Sequence, residues 1–265
     1  MNTTGLMVKL GLAGLLLSAL ASEARADLIG LTGRLDASTS VSALVYGYGV
    51  SRETPFGVDL DLEPYYWVQQ SSFGHSDYAS NTDSILDYDL ASSRSEWGAA
   101  LASSQNGYEL NTSMYSEAAA QPYIAYSRSE TITSATISMV FDRDTEVDVL
   151  LRIDYARGGL GNSGPGFVSG GFAVEGLVDA PGSEFLLEGP LEDEGFVEFS
   201  FRATAQAGEA FTLTADGLAE FWTISNGRWD GWGSLEMTAS VQVVPAPGGV
   251  LVLGGLGLVA GRRRR

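Results

Sequence analysis

The chain has 265 residues, a formal net charge of −18 at pH 7, one histidine and no cysteine. Without cysteine there is no disulfide scaffold, thiolate metal centre or cysteine nucleophile, and His75 alone excludes multi-histidine metal sites. The acidic balance argues against nucleic acid as a partner, because phosphate backbones are met by basic surfaces.

The first 26 residues form a unit of their own. Lys9 precedes an apolar run over residues 11–21, and Ala24 and Ala26 place small side chains where a signal peptidase reads them. This layout predicts a secretory signal helix over 1–26, cleaved before Asp27 by signal peptidase after Sec-type export. Residues 27–244 then carry nine arginines, no lysine and 32 carboxylates, a formal charge of −23. A chain of that size buries enough surface for a core without covalent staples.

Along this middle region the dominant period is two. Residues 35–48 alternate small or apolar residues with Ser and Thr, and Trp97, Ala99 and Leu101 continue the pattern. The surrounding stretch 85–102 contains helix formers and leaves a short helix open as an option. Residues 145–155 place Val147, Val149, Leu151, Ile153 and Tyr155 on one face, with Asp148, Arg152 and Asp154 on the other. Residues 158–166 are glycine-rich and read as a loop, and 167–178 as extended. Val197, Phe199, Phe201 and Ala203 form another inward set. A turn at Ala207-Gly208-Glu209 leads into Phe211, Leu213 and Ala215. The clearest strand is 233–244, with Leu235, Met237, Ala239, Val241 and Val243 against Glu236, Thr238, Ser240 and Gln242. Many short strands separated by Gly, Pro, Ser and Asp predict one all-β domain, an antiparallel β-sandwich of jelly-roll type.

Three groups of residues are candidates for chemistry. Asp59, Asp61 and Glu63 alternate, as do Asp142, Asp144, Glu146 and Asp148. Carboxylates on one strand face suit calcium, although Pro64 and Val147 stand where a calcium loop of the helix–loop–helix type needs glycine. These runs read first as solvated acidic faces, with Ca²⁺ on Asp142, Asp144 and Glu146 as the alternative. Phe221-Trp222 and Trp229-Asp230-Gly231-Trp232 flank a turn, and Tyr65-Tyr66-Trp67 is a second aromatic cluster. Such rings either plug the ends of a sandwich or offer flat faces to sugars, with Asp230 beside them to bond hydroxyls. The surroundings of His75 contain no nucleophile-elbow motif, so no catalytic residue and no cofactor are assigned.

At the other end, Val244-Pro245-Ala246-Pro247 precedes an uncharged Gly/Leu/Val stretch over 248–261, and then come Arg262, Arg263, Arg264 and Arg265. The stretch is shorter than the roughly 20 residues of a comfortable span, and the arginines favour the cytoplasmic side. These features in this order resemble the PEP-CTERM sorting signal, with Ala246 in place of the usual glutamate. The resemblance covers the last 22 residues. It implies an exported bacterial protein that contacts the inner membrane transiently through a short C-terminal apolar helix. An exosortase-like protease would then process the tail, in organisms that make exopolysaccharide and biofilm.

The expected organisation is a signal peptide over 1–26, an acidic β-sandwich over 27–243 and a sorting tail over 244–265. The expected role is structural or adhesive, at the cell surface or in the extracellular matrix. The alternative is a carbohydrate-binding module for extracellular polysaccharide, built on Trp222, Trp229, Asp230 and Trp232. A glycoside hydrolase, which needs only two carboxylates at a set separation, is a third reading.

Overall fold

A computed structural model describes residues 26–45, 48–62, 70–83, 88–104, 107–120, 125–160, 166–187, 194–224 and 229–244. The expected signal helix (apart from Ala26), the Tyr65-Tyr66-Trp67 cluster and the tail beyond Val244 lie outside these residues. Among the described residues there is no helix. In chain order the strands are β1 (Leu28–Val45), β2 (Tyr48–Leu62), β3 (Gln70–Asp83), β4 (Tyr88–Ser104), β5 (Gly107–Ala120), β6 (Ala125–Phe141) and β7 (Thr145–Leu160). They continue with β8 (Gly166–Glu175), β9 (Leu177–Val178), β10 (Glu184–Leu186), β11 (Glu194–Ala205), β12 (Ala210–Ile224) and β13 (Trp229–Val243).

Two antiparallel sheets face one another across a shared interior. One has the order β10-β8-β12-β6-β1-β2 and the other β3-β4-β5-β13-β7-β11-β9. From β6 to β12 the pairing is symmetric about the short β9: β8 pairs with β10, β7 with β11 and β6 with β12. Successive strands of this half alternate between the sheets. β1 and β2 extend one sheet beyond β6, while β3, β4 and β5 extend the other beyond β13.

The alternating sets expected inside are inside. Val147, Val149, Leu151 and Ile153 of β7, Phe211, Leu213 and Ala215 of β12, and Leu235, Met237, Ala239 and Val241 of β13 are all buried. In the same core the rings of Phe141 and Phe211 stack with centroids 6.1 Å apart. Full burial of each of the Val, Leu, Ile, Phe and Met side chains among these residues stabilises the fold by roughly 2 kcal/mol. Phe185 of β10 closes one flank of this core against Phe199 and Phe201 of β11, at 5.2 and 5.3 Å.

Elsewhere the interior is made of hydroxyls. Ser93, Ser95, Thr112, Ser116, Ser127, Ser129, Thr131 and Thr133 are buried between β4 and β5 on one side and β1, β6 and β12 on the other. Ser95 Oγ lies 2.8 Å from Ser129 Oγ and donates to a carbonyl of the opposite sheet, Ser40 O at 3.1 Å. Ser116 donates to Ala219 O at 2.8 Å, and Thr131 returns a bond to Tyr115 O at 2.9 Å. A serine hydroxyl stands only one bond beyond Cβ. Its reach to the facing backbone therefore means that the sheets lie closer here than the usual spacing of about 10 Å.

Three local expectations are corrected. Residues 88–102 form strand rather than helix: Ala91, Ser93, Ser95, Trp97, Ala99 and Leu101 alternate inward, and β4 pairs with both β3 and β5. The helix formers there reflect composition, and period two prevails because both neighbours supply ladder bonds. Gly158, Gly159 and Leu160 belong to β7 rather than to a loop, held by pairing with Trp232, Gly231 and Asp230 of β13. The long strands run 14 to 18 residues, for example β1 and β5. Small Ser, Thr and Ala residues continue the inward alternation where no large apolar side chain marks it.

The extended run 167–178 breaks at Gly176, where the chain leaves β8 in one sheet for β9 in the other. Gly176 has φ +80, and a Cβ there would lie 2.4 Å from the Ala210 carbonyl oxygen. Gly208, in the turn before β12, has φ +73 with open space around it. Replacing Gly208 by Ala should therefore cost only the left-handed penalty, about 1–2 kcal/mol. Gly176→Ala should cost more, because the backbone must also move; urea unfolding of the two variants checks the order. In the hydroxyl seam, Ser95→Val should lose about 1–3 kcal/mol through overpacking and exceed the loss from Ser95→Ala.

Candidate functional site

Strand parity decides which side chains the two outer faces display. On β13 the odd positions from Gly231 are buried, so Asp230, Trp232, Ser234, Glu236 and Thr238 point away from the core. On β12 the odd positions are buried as well, and Trp222 lies on the outer face of the other sheet. Trp222 and Trp232 are thus separated by the full thickness of both sheets and do not form one platform. The reason is that β12 and β13, though consecutive, belong to different sheets. Phe221 is buried among the core residues, as an end plug would be. Of Trp229 the structure describes only the backbone, at the start of β13.

Trp232 does meet a partner, Tyr115 of β5, which the sequence reading passed over. The two ring centroids are 6.4 Å apart and their planes are inclined by 23°. On the other side Trp232 is in register with Gly158 of β7. A Cβ at that glycine would stand 2.8–2.9 Å from Nε1, Cε2 and Cζ2 of the indole, so the ring lies across the bare backbone of Gly158. Trp232 keeps 36% of its surface exposed. Tyr115 donates its hydroxyl to Glu117 at 2.9 Å. Burial, followed by that bond to a carboxylate, pushes the phenol up to about 12, so it stays protonated and donating.

The strip continues across the sheet. Arg94 of β4 lies over the Tyr115 ring, 5.8 Å from its centroid, and is ion-paired with Glu96. Ser76 of β3 donates to Glu96 at 2.9 Å. Two neighbouring cross-strand rows result: Arg94, Glu117, Trp232 and Gly158, and beside them Ser76, Glu96, Tyr115 and Ser234. A sequence signal for Tyr115 existed in the inward set Leu110, Thr112, Met114, Ser116 and Ala118. The small and polar members of that set obscured its period.

The acidic run expected as a calcium alternative has a different task. Asp142 Oδ1 accepts the backbone N–H of Asp27 at 2.9 Å, while the Asp142 N–H bonds Asp27 O at 3.0 Å. Asp144 accepts the Ala207 N–H at 2.9 Å. The carbonyl of Glu146 accepts from Val244 N at 2.9 Å. Residues 142–146 thereby hold, at one end of the molecule, both the start of β1 and the residue that follows β13. No group of three or more metal-ligating side chains converges among the described residues. Asp59 instead faces Arg34 at 3.5 Å. His75 sits exposed on β3, in register with Trp97.

One groove, of about 580 Å³, lies on the outer face of the six-stranded sheet. Ile132, Leu186 and Leu218 wall it, and Glu184 and Asp216 supply two carboxylates. These acids stand two strands and two register positions apart, across β8.

No protein-family model and no curated protein matches the chain. Two solved structures of infectious bursal disease virus, of the Gx and Gt strains, align with 83% and 82% of this chain at 12% and 10% identity. Their TM-scores are 0.18 and 0.15, too low to carry an argument. The chain covers 63% and 67% of those structures' own chains.

Three aspartates are held below the ordinary aspartate range, each mainly by a hydrogen bond from an arginine. The pairs are Asp36 with Arg34, Asp142 with Arg143, and Asp148 with Arg202. A depressed folded-state value means stability that is present above the unfolded aspartate value, about 3.9, and lost as pH falls through the folded one. The stability gap between wild type and Arg202→Gln should therefore be open at neutral pH. It should close progressively below about pH 5, as read by urea midpoints across pH. A gap unchanged down to about pH 2 would show that the pair contributes nothing through titration.

Proposed function

We propose that residues 27–243 are an exported bacterial domain with a structural and adhesive role at the cell surface or in the extracellular matrix, and that residues 244–265 are its sorting tail. The observation that carries this reading is the clasp at 142–146. The residue expected to open the mature chain, Asp27, and the residue from which the tail departs, Val244, are fastened to the same short segment. Cutting beyond Val244 removes no rung from the β13 ladder, which ends at Val243. A precursor with both removable segments at one end can be trimmed on both sides without opening a sheet.

The mirror pairing about β9 supports the finer assignment of a jelly-roll sandwich, with β1–β5 as an added flank. The tail supports transient inner-membrane contact, with Sec-type export machinery, signal peptidase and an exosortase-like protease as partners. Carbohydrate binding is the second reading, favoured by the Tyr115–Trp232 strip. A glycoside hydrolase is the third. It rests on Glu184 and Asp216 in the outer groove and requires hydrolysis that disappears in both Glu184→Gln and Asp216→Asn.

Mass spectrometry of the chain recovered from the surface or matrix of its native host tests the main reading. The expected mature form begins at Asp27 and lacks Arg262, Arg263, Arg264 and Arg265. Recovery of only the intact chain, with both ends retained, would overturn it.

A further inference from the structure

We propose that the strip formed by Tyr115 and Trp232 on the outer face of the seven-stranded sheet binds an uncharged polysaccharide. The inference rests on the adhesive part of the reading above and names the partner class. It does not depend on how the tail is processed.

The argument begins with what Trp232 does not do. It fills no core, since it projects from the outer face of β13 while Gly231 and Gly233 on either side point inward. An indole in water is stabilised only by what covers it, and here one of its faces rests on the bare backbone of Gly158. The ring is thus laid along the sheet, and its exposed surface is turned to solvent. Tyr115 extends this aromatic surface onto the next strand, at 6.4 Å between centroids. The open face of Trp232 matches the C–H face of a sugar ring, with the Tyr115 ring, over which Arg94 lies, bordering it, and aromatic side chains with one polar edge suit a half-wet contact.

The polar groups around the rings suit hydroxyls. Glu117 beside the Tyr115 hydroxyl, Glu96 with Ser76, and Ser234 on β13 provide fixed acceptors and donors within the two cross-strand rows. The cation among these described residues, Arg94, is already neutralised by Glu96. With Glu96 and Arg94 cancelling one another, an anionic polymer would meet Glu117 and the surrounding negative field without a compensating charge, so the strip selects against uronic or sulfated chains. Position agrees with adhesion. Trp232 lies eleven residues before Val243 on one strand, about 37 Å from the end where Asp27 and Val244 are clasped. A domain tethered through its tail presents the strip away from the tether.

The test is affinity electrophoresis of the chain purified from its native host. The gels contain neutral polysaccharides (a β-glucan, a xylan and a galactomannan) or acidic ones (alginate and polygalacturonate). Retardation by at least one neutral polymer and by neither acidic polymer is expected. Trp232→Ala should weaken binding about tenfold or more, as truncation of a central aromatic anchor does. Gly158→Ala, which lifts the indole off the backbone, should weaken it as well, and Trp222→Ala should leave it unchanged. An unaltered melting temperature shows that each variant is folded. Absence of retardation by any neutral polymer, or retardation of Trp232→Ala and Gly158→Ala equal to that of the wild type, overturns the site. Retardation by the acidic polymers that depends on Trp232 overturns the ligand class. Loss of binding with a fully processed chain would count against this proposal alone, whereas binding by an unprocessed chain would count against the sorting reading alone.

Discussion

Close approach of the two sheets governs much of this molecule, and it is possible only because the side chains between them are small. Where Ser93, Ser95, Ser127 and Ser129 face one another, hydroxyls reach the carbonyls of the opposite sheet. Each interior hydroxyl that crosses gains a partner that a wider gap would deny it. A buried hydroxyl without one would be costly. A carbonyl already bonded in its own ladder keeps a second lone pair, which allows it to accept again. Large apolar side chains cannot enter this seam without parting the sheets, and they collect instead around Phe141, Phe211, Leu235 and Met237. The interior is therefore divided, with hydroxyl bonding toward one end and apolar packing toward the end that holds Asp27 and Val244.

The outer faces follow from an opposite constraint, the large excess of carboxylates. Four arginines each meet an acid on their own strand two residues away, where alternation returns the chain to the same face. Arg34 and Asp36, Arg94 and Glu96, Arg128 and Glu130, and Arg152 and Asp154 are all such pairs. Exposed pairs of this kind contribute little to stability individually. Their effect is to spread positive charge evenly and to leave a field that repels anionic polymers on both faces. Within that field the Tyr115–Trp232 strip is an apolar interruption, lined by acids and a neutralised arginine.

Much of the fold was legible, and the parts that were not share one physical cause. The runs at 145–155 and 233–244 carry large branched or aromatic residues on one face and charges on the other. Such contrast identifies a half-buried strand without knowledge of its neighbours. β4 and β5 bury Ala, Ser and Thr, whose hydropathy barely differs from that of their exposed neighbours, so their length and even their type were harder to read. The spacing Arg-x-Asp/Glu, repeated at 34, 94, 128 and 152, was a further strand signal, and in β4 it marked a stretch that was otherwise ambiguous. The acidic run at 142–148 illustrates a different limit. Its carboxylates were visible, but their partners are the N–H of Asp27, the N–H of Ala207 and the guanidinium of Arg202, all far away along the chain.

By itself, the sequence determined the all-β class and the inward residues of its strongly alternating strands. It also showed the charge contrast between the acidic middle and the two cationic ends. These properties are local: period, composition and the order of residue types do not depend on what lies opposite. Only the tertiary structure decided which sheet each strand joins, because that choice depends on partners distant in sequence. It separated Trp222 from Trp232, although their strands are consecutive in the chain. It also brought Tyr115, Trp232 and Gly158, from three strands scattered along the chain, onto one face.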